Sequence, residues 1–457
     1  MLIRELNRLL PYDRNAHSPE RFHLSPTPSP SLTDLEHDIS HSTHLSAEHR
    51  PVSRYRALDA LAKGYHVSQA VLQHSLLPTV KHHSVELQGH RVYGARFIGP
   101  DGDQFVTTSQ STAIHVYNTS MSEDPRAWTR THSIRAQNVR WTVTDFAVSP
   151  NRRWLAYASI TAYIHLVDLH NPTQEHIPID MHINKRGTLN IWSVMWSHDS
   201  RELLVGTGGA HMNRHGAIVI YDVQVKRIVA VVPAHEDDIN SICFLQHGDD
   251  NLVVSASDDT MVKMWDRREM KYSRRNDLDK PCALFEGHKY GLTHVSSKDD
   301  GRFFISNGKD QFIKLWDARK CTSSDQTNKI RPSFFCHFDY RVQPCPRIHT
   351  SPNSRDDSVV TYAGSHQTLQ TLIRAHFSPL HSTGQKYIYC GSSDGTCAIY
   401  NVLTGAEVAL LAGHGDAVRD VSWHPYGCFL TTGSWDGEVA LWSTHGDPMR
   451  SDTDSAW

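Results

Sequence analysis

The stretch that decides the fold is LFEGHKYGLTHVSSKDDGRFFISNGKDQFIKLWDAR, residues 284–319. It opens on Gly287-His288 and closes on the apolar run IKLWD ending at Asp317. Between these marks lie short runs rich in Phe, Ile, Thr and Val, broken by Gly, Asp and Asn, the pattern of strands separated by tight turns. The same two marks recur. Gly-His or a relative stands at Gly89-His90, Ala234-His235, Gly287-His288, Ser365-His366 and Gly413-His414. Strand endings like IKLWD occur as VKMWD (to Asp266), ALWS (to Ser443), AIYNV (Tyr400-Asn401), IVIYD (to Asp222), IHVYN (to Asn118) and IHLVD (to Asp168). His235 to Trp265, His288 to Trp316 and His414 to Trp442 are near-equal intervals.

Two marks recurring together, with about 40–45 residues per unit, are the signature of WD repeats. Each repeat is a four-stranded blade, and the strand endings predict an all-β, seven-bladed WD-repeat β-propeller around a central channel. The propeller is expected over residues 79–445, with tails at 1–78 and 446–457. The last strand ending, at Trp442, is followed only by the polar THGDPMRSDTDSAW, a poor outer strand. Thr79–Leu87 precedes the first Gly-His and is a spare strand, so it is expected to pair onto the last blade and close the ring.

The leading tail reads differently. Residues 1–50 hold few aromatic or β-branched residues, and Ser25-Pro-Thr-Pro-Ser-Pro-Ser31 cannot enter a helix or sheet interior because proline lacks an N–H. Disorder is the expectation there. Two short amphipathic helices are predicted near 2–10, from Leu2, Leu6 and Leu9, and near 55–73, from Leu58, Leu61, Ala62, Tyr65 and Leu72. The opening MLIRELNRLLPYDR carries charges inside its apolar stretch and does not read as a secretory signal. No run approaches the roughly 18 apolar residues of a membrane span. Net charge is −3, without the basic excess of a nucleic-acid footprint, so no direct nucleic-acid or membrane partner is expected. Eight cysteines without a CxxC pair point to reduced thiols, in the nucleus or cytoplasm.

Several blades carry Asp six residues before the terminal aromatic: Asp259, Asp310, Asp394 and Asp436. Four residues earlier stand Ser255, Ser306, Cys390 and Thr432. With His235, His288 and His414 these sets resemble Ser–His–Asp triads. Their recurrence in separate blades argues instead for a structural network: a buried imidazole needs partners on both nitrogens, and the Trp indole N–H completes the chain. Blades one to three carry Ser111, Thr161 and His215 at the Asp position and are expected to be less rigid. Cys336, His337, Cys345 and His349 lack the paired spacing of a zinc site. No metal, cofactor or catalytic residue is expected.

The distinctive feature is Trp265-Asp266-Arg267-Arg268 in one blade and Trp316-Asp317-Ala318-Arg319 in the next. Both are W-D-x-R. Loops alternate between the two ends of a blade, so Arg268 and Arg319 are expected on one rim, one blade apart. An arginine fork suits carboxylates and carbonyls; the alternative for each box is a solvated Arg closing the turn over its own Asp.

This tandem is similar to the signature of the DCAF proteins, the WD-repeat substrate receptors of cullin-4 RING ubiquitin ligases. The stretches quoted from 284–319, HFDYRVQP (337–344) and LQTLIRAHFSPLHSTGQKYIYCGSSDG (369–395) resemble the same family, which ends the second on DYRW where this chain has Asp339-Tyr340-Arg341-Val342. The resemblance implies docking on the ligase's damaged-DNA-binding adaptor through Trp265, Asp266, Arg268, Trp316, Asp317 and Arg319, with the helix at 55–73 adding to the dock. It also implies an unidentified target on the Gly-His rim or at the channel mouth. A WD-repeat scaffold of another assembly is the second reading open at this stage.

Overall fold

The computed structural model describes residues 77–119, 124–171, 175–182, 189–208, 215–271, 278–323, 338–346 and 355–444. The expected helices near 2–10 and 55–73, and Cys336, His337 and His349, lie outside them.

Seven antiparallel sheets follow one another along the chain, each built outward from an innermost strand. The innermost strands are Val92–Ile98, Val143–Val148, Asn190–Trp196, Ile239–Gln246, Leu292–Ser297, Ala375–Phe377 and Val418–Trp423. The third strands are the runs read from the sequence: Ala113–Asn118, Tyr163–Asp168, Gly216–Asp222, Val262–Asp266, Ile313–Asp317, Thr396–Asn401 and Glu438–Ser443. They are buried over most of their length and read as apolar runs because each blade is covered on both faces by its neighbours.

Val80–Leu87 pairs antiparallel with Glu438–Ser443, from Val80 opposite Ser443 to Leu87 opposite Glu438. The first of the described strands is thus the outermost strand of the last blade. Lys81 Nζ fixes the register, donating to Glu438 Oε2 and to the Gly413 carbonyl, both at 2.8 Å. The seam is sealed by Val92, Ala95, Phe105, Tyr117 and Trp128 of blade one packing on Phe429, Val439 and Leu441 of blade seven. Closure removes the open edge that would otherwise template aggregation.

Two features have no counterpart in the repeat pattern. After the second W-D-x-R the chain turns back, and Thr322–Ser323 adds a fifth strand to blade four, with Ala283 opposite Ser323 and Leu284 opposite Thr322. In the channel, Arg374 at the inner edge of blade six donates across to Asp145 Oδ1 of blade two at 2.9 Å. Arg96 of blade one also reaches Asp145 (2.6 Å) and Asp420 of blade seven (3.0 Å). Four blades are tied through the middle by this cluster.

Candidate docking site on one rim

In blades two to six the third strand ends in a turn whose geometry its last residue sets. The Asp or Asn side chain accepts the backbone N–H of the residue two further on: His170 to Asp168 (2.9 Å), Gln224 to Asp222 (2.9 Å), Arg268 to Asp266 (3.0 Å), Arg319 to Asp317 (3.0 Å) and Leu403 to Asn401 (2.9 Å). These are Asx-type turns. One turn repeated blade after blade puts the residue two past the strand at equivalent places on one rim. Only blades four and five have arginine there.

Both arginines fold back over their own aspartate. Arg268 donates from Nε to Asp266 Oδ1 at 2.9 Å and from Nη2 to Oδ2 at 2.6 Å. Arg319 does the same to Asp317, at 3.2 Å for each bond. Their side chains remain 50% and 33% exposed. Asp317 takes a second arginine, Arg302, at 3.2 and 3.1 Å. The Arg268 hydrogen bond holds the Asp266 carboxyl below its ordinary range, whereas burial pushes Asp317 up against the pull of Arg302.

The six residues expected at the dock differ in exposure. Trp265, Trp316, Asp266 and Asp317 are all buried. The two aspartates hold the arginines, and Arg268 and Arg319 are the exposed members of the set. Sequence reasoning also missed the rest of this rim's charge pairing: Arg201 to Asp222 at 2.7 Å, Arg153 to Asp168 at 3.2 Å, and Arg267 of the first box to Glu202 of blade three. An Arg five residues past the innermost strand in blades two, three and five (Arg153, Arg201 and Arg302) was the available signal.

The Trp side chains point the other way along the blade, into the His networks. His235 Nδ1 meets Asp259 at 2.8 Å and Nε2 meets Ser255 at 2.7 Å, and Trp265 Nε1 donates to the same hydroxyl at 2.9 Å. His288, Asp310, Ser306 and Trp316 repeat this at 3.0, 2.7 and 2.7 Å. His414, Asp436, Thr432 and Trp442 repeat it at 2.9, 2.6 and 2.8 Å. The three hydroxyl residues are 0% exposed, so no substrate reaches them as a nucleophile would require. Burial lowers the pKa of His235 against the pull of Asp259. The hydrogen bonds of His414 and two backbone N–H groups outweigh burial and lower Asp436. His414, Asp436 and Glu438 are close enough for a metal, but the network and Lys81 already occupy their atoms. Blade six departs: Cys390 replaces the hydroxyl, His366 Nδ1 turns to Tyr400 OH at 2.8 Å, and Asp394 caps Thr396 instead. Of the cysteine–histidine set considered for zinc, only Cys345 is described, and its thiol donates to the Pro346 carbonyl at 3.5 Å.

The opposite rim, where the Gly-His loops and the Asp turns meet, surrounds a cavity of about 750 Å³ at the channel mouth. Trp141, Trp192 and Trp435 wall it, Arg419 and Thr142 lie at its inner end, and the segment carrying Asp339-Tyr340-Arg341 reaches over from between blades five and six. Gln370 N donates to the Tyr340 carbonyl at 2.8 Å and Lys309 Nζ sits 4.0 Å over the Tyr340 ring, which holds that segment down.

A closed ring of seven such blades, with tandem W-D-x-R turns on one rim, defines a WD-repeat propeller of the binding class. The WD domain, G-beta repeat model matches residues 226–266, 279–317 and 405–443. The LEC14B protein of Lithospermum erythrorhizon is 39% identical over 79% of this chain and 75% of its own length. The LEC14B homolog of Prunus armeniaca is 39% identical over 76% and 71%. The chain belongs to the LEC14B family. It is also 35% identical, over 75% of its length and 59% of the relative's, to a Caenorhabditis elegans protein named DDB1- and CUL4-associated factor 11 homolog, in agreement with the resemblance read from the W-D-x-R pair.

Proposed function

We propose that this chain is a substrate receptor of a cullin-4 RING ubiquitin ligase, docking on the damaged-DNA-binding adaptor through Arg268 and Arg319 and holding its target at the opposite rim. The observation that carries the reading is the placement of two half-exposed arginines at equivalent turn positions in adjacent blades. The name of the C. elegans relative supports it. A fold-back ion pair at a protein surface contributes roughly 0–1 kcal/mol, so a partner's carboxylates can replace it at little cost. The chain has no bond-making role in this scheme. It raises the target's effective concentration beside the charged conjugating enzyme, and its reduced cysteines fit work in the nucleus and cytoplasm. Target and adaptor use opposite rims, so both bind at once.

Co-precipitation of the adaptor from cells tests this. Each charge-assisted bond lost costs about 1.5–3 kcal/mol, so Arg268→Ala/Arg319→Ala is expected to abolish recovery. Undiminished recovery of the adaptor by the double variant would end the proposal.

A further inference from the structure

The acidic groups around the channel-mouth cavity already have partners. Asp258 accepts from Lys309 at 2.6 Å, Asp339 from Arg341 at 2.8 Å, and Asp238 from the Trp192 indole at 3.0 Å. The unmet groups at the cavity include donors. Arg419, 4% exposed, gives one N–H to the Tyr93 carbonyl and one to the Thr144 carbonyl at 3.1 Å, and its Nε has no partner. Thr142 Oγ1, in a residue 3% exposed, and Trp435 Nε1 also have none. Nearby Asp145 and Asp420 are engaged by Arg96 and Arg374, so Arg419 is a buried cation facing carbonyls where its neighbours face carboxylates. Buried donors without acceptors are rare and costly; three at one cavity, one of them charged, describe a site shaped for an acceptor that carries negative charge.

We infer that this cavity takes an acidic side chain of the target, its carboxylate received by Arg419, Trp435 and Thr142 between the Trp141 and Trp192 walls. The inference rests on the receptor reading for where the ligand comes from. Trp141, 62% exposed and anchored by its indole N–H to Tyr93 OH at 3.2 Å, stands at the entrance and supplies the aromatic surface that interface anchors use. Commitment to a side chain, rather than a chain end, follows from the cavity's place at the mouth of a channel ringed by all blades, where a segment running across the rim can dip one residue inward.

The test uses the full chain and blocked nonapeptide libraries, acetylated and amidated, with the central residue fixed as Asp, Glu, Asn, Gln, Lys or Ala and the rest randomised. Retention of the Asp and Glu pools is expected to exceed the Asn and Gln pools about tenfold, the ratio of one charge-assisted hydrogen bond. Arg419→Met is expected to erase the preference. Because that variant removes a buried group, Trp435→Phe/Thr142→Val is measured beside it and is expected to reduce the preference several-fold with the melting temperature unchanged. Equal retention of the acidic and amide pools by wild type overturns the inference, as does a preference that persists in the double variant, or one that appears only with free C-termini. Adaptor binding is read on the same samples: its presence with no acidic preference sinks this inference alone, and its absence sinks the receptor reading.

Discussion

Asp266 and Asp317 are nearly enclosed, at side-chain exposures of 4% and 2%, while the arginines two residues on are half in solvent. The aspartates hold the turn through a backbone N–H and aim the guanidinium through its own fork. The two boxes differ in how much rests on the carboxylate. Asp266 carries the Arg268 fork, whereas Asp317 carries both Arg302 and Arg319. Removing one partner of a buried ion pair costs about 3–5 kcal/mol. Asp317→Asn is therefore expected to lower unfolding free energy in urea by about 3 kcal/mol, and Asp266→Asn by clearly less; equal losses would show that Arg302 contributes nothing. The arginines were legible because W-D-x-R is a local string. Their fold-back was legible only as an alternative to an outward grip, since a local string does not reveal whether a carboxylate is buried.

The elements show the same division. Seven third strands were readable because each ends on an aromatic or aliphatic residue followed by a turn former, and the closing strand because blade seven lacked an outer strand of its own. The short outer strands Ala283–Phe285 and Val360–Tyr362, and the added Thr322–Ser323, offer too few residues for any period to register. If Val80–Leu87 closes the ring, a chain beginning at residue 89 exposes the edge of Glu438–Ser443. A loss of on the order of 10 °C in melting temperature is expected, equivalent to about 3–5 kcal/mol, together with concentration-dependent aggregation; an unchanged melt would mean the seam holds without it. The turns after Asp259 and Asp310 carry strain. The following residue has positive φ in blades four to seven, as Thr260 (73°), Gln311 (69°), Gly395 (84°) and Gly437 (89°). Glycine suits that conformation and a β-branched residue does not. Thr260→Gly is expected to raise stability by about 1 kcal/mol, read as a higher urea midpoint with an unchanged slope.

The whole molecule depends on contacts that no local string announces. Arg374 and Asp145 meet across the channel, and His294 of blade five packs edge-on against His376 of blade six. His165 and His366 are each held down to about 4 by burial. Below pH 6.5 the unfolded chain takes up a proton that the folded chain refuses until about pH 4, so stability present above 6.5 is lost as pH falls through that window. Each group contributes on the order of 3 kcal/mol. Asp259, lowered to about 2 because hydrogen bonds and the charges of His235 and Lys263 outweigh burial, adds a further loss as pH falls from 4 toward 2. Urea midpoints measured from pH 7 to pH 4 are expected to fall steadily; a flat profile would mean these imidazoles are solvated. The division of labour between rims is also a property of the whole ring, and it is tested by the affinity of the purified chain for the purified adaptor. Arg268→Glu/Arg319→Glu is expected to weaken binding at least about hundredfold, two charge-assisted bonds, while Arg341→Glu on the opposite rim leaves it unchanged. An adaptor affinity that survives the first pair and falls with Arg341→Glu would contradict the account.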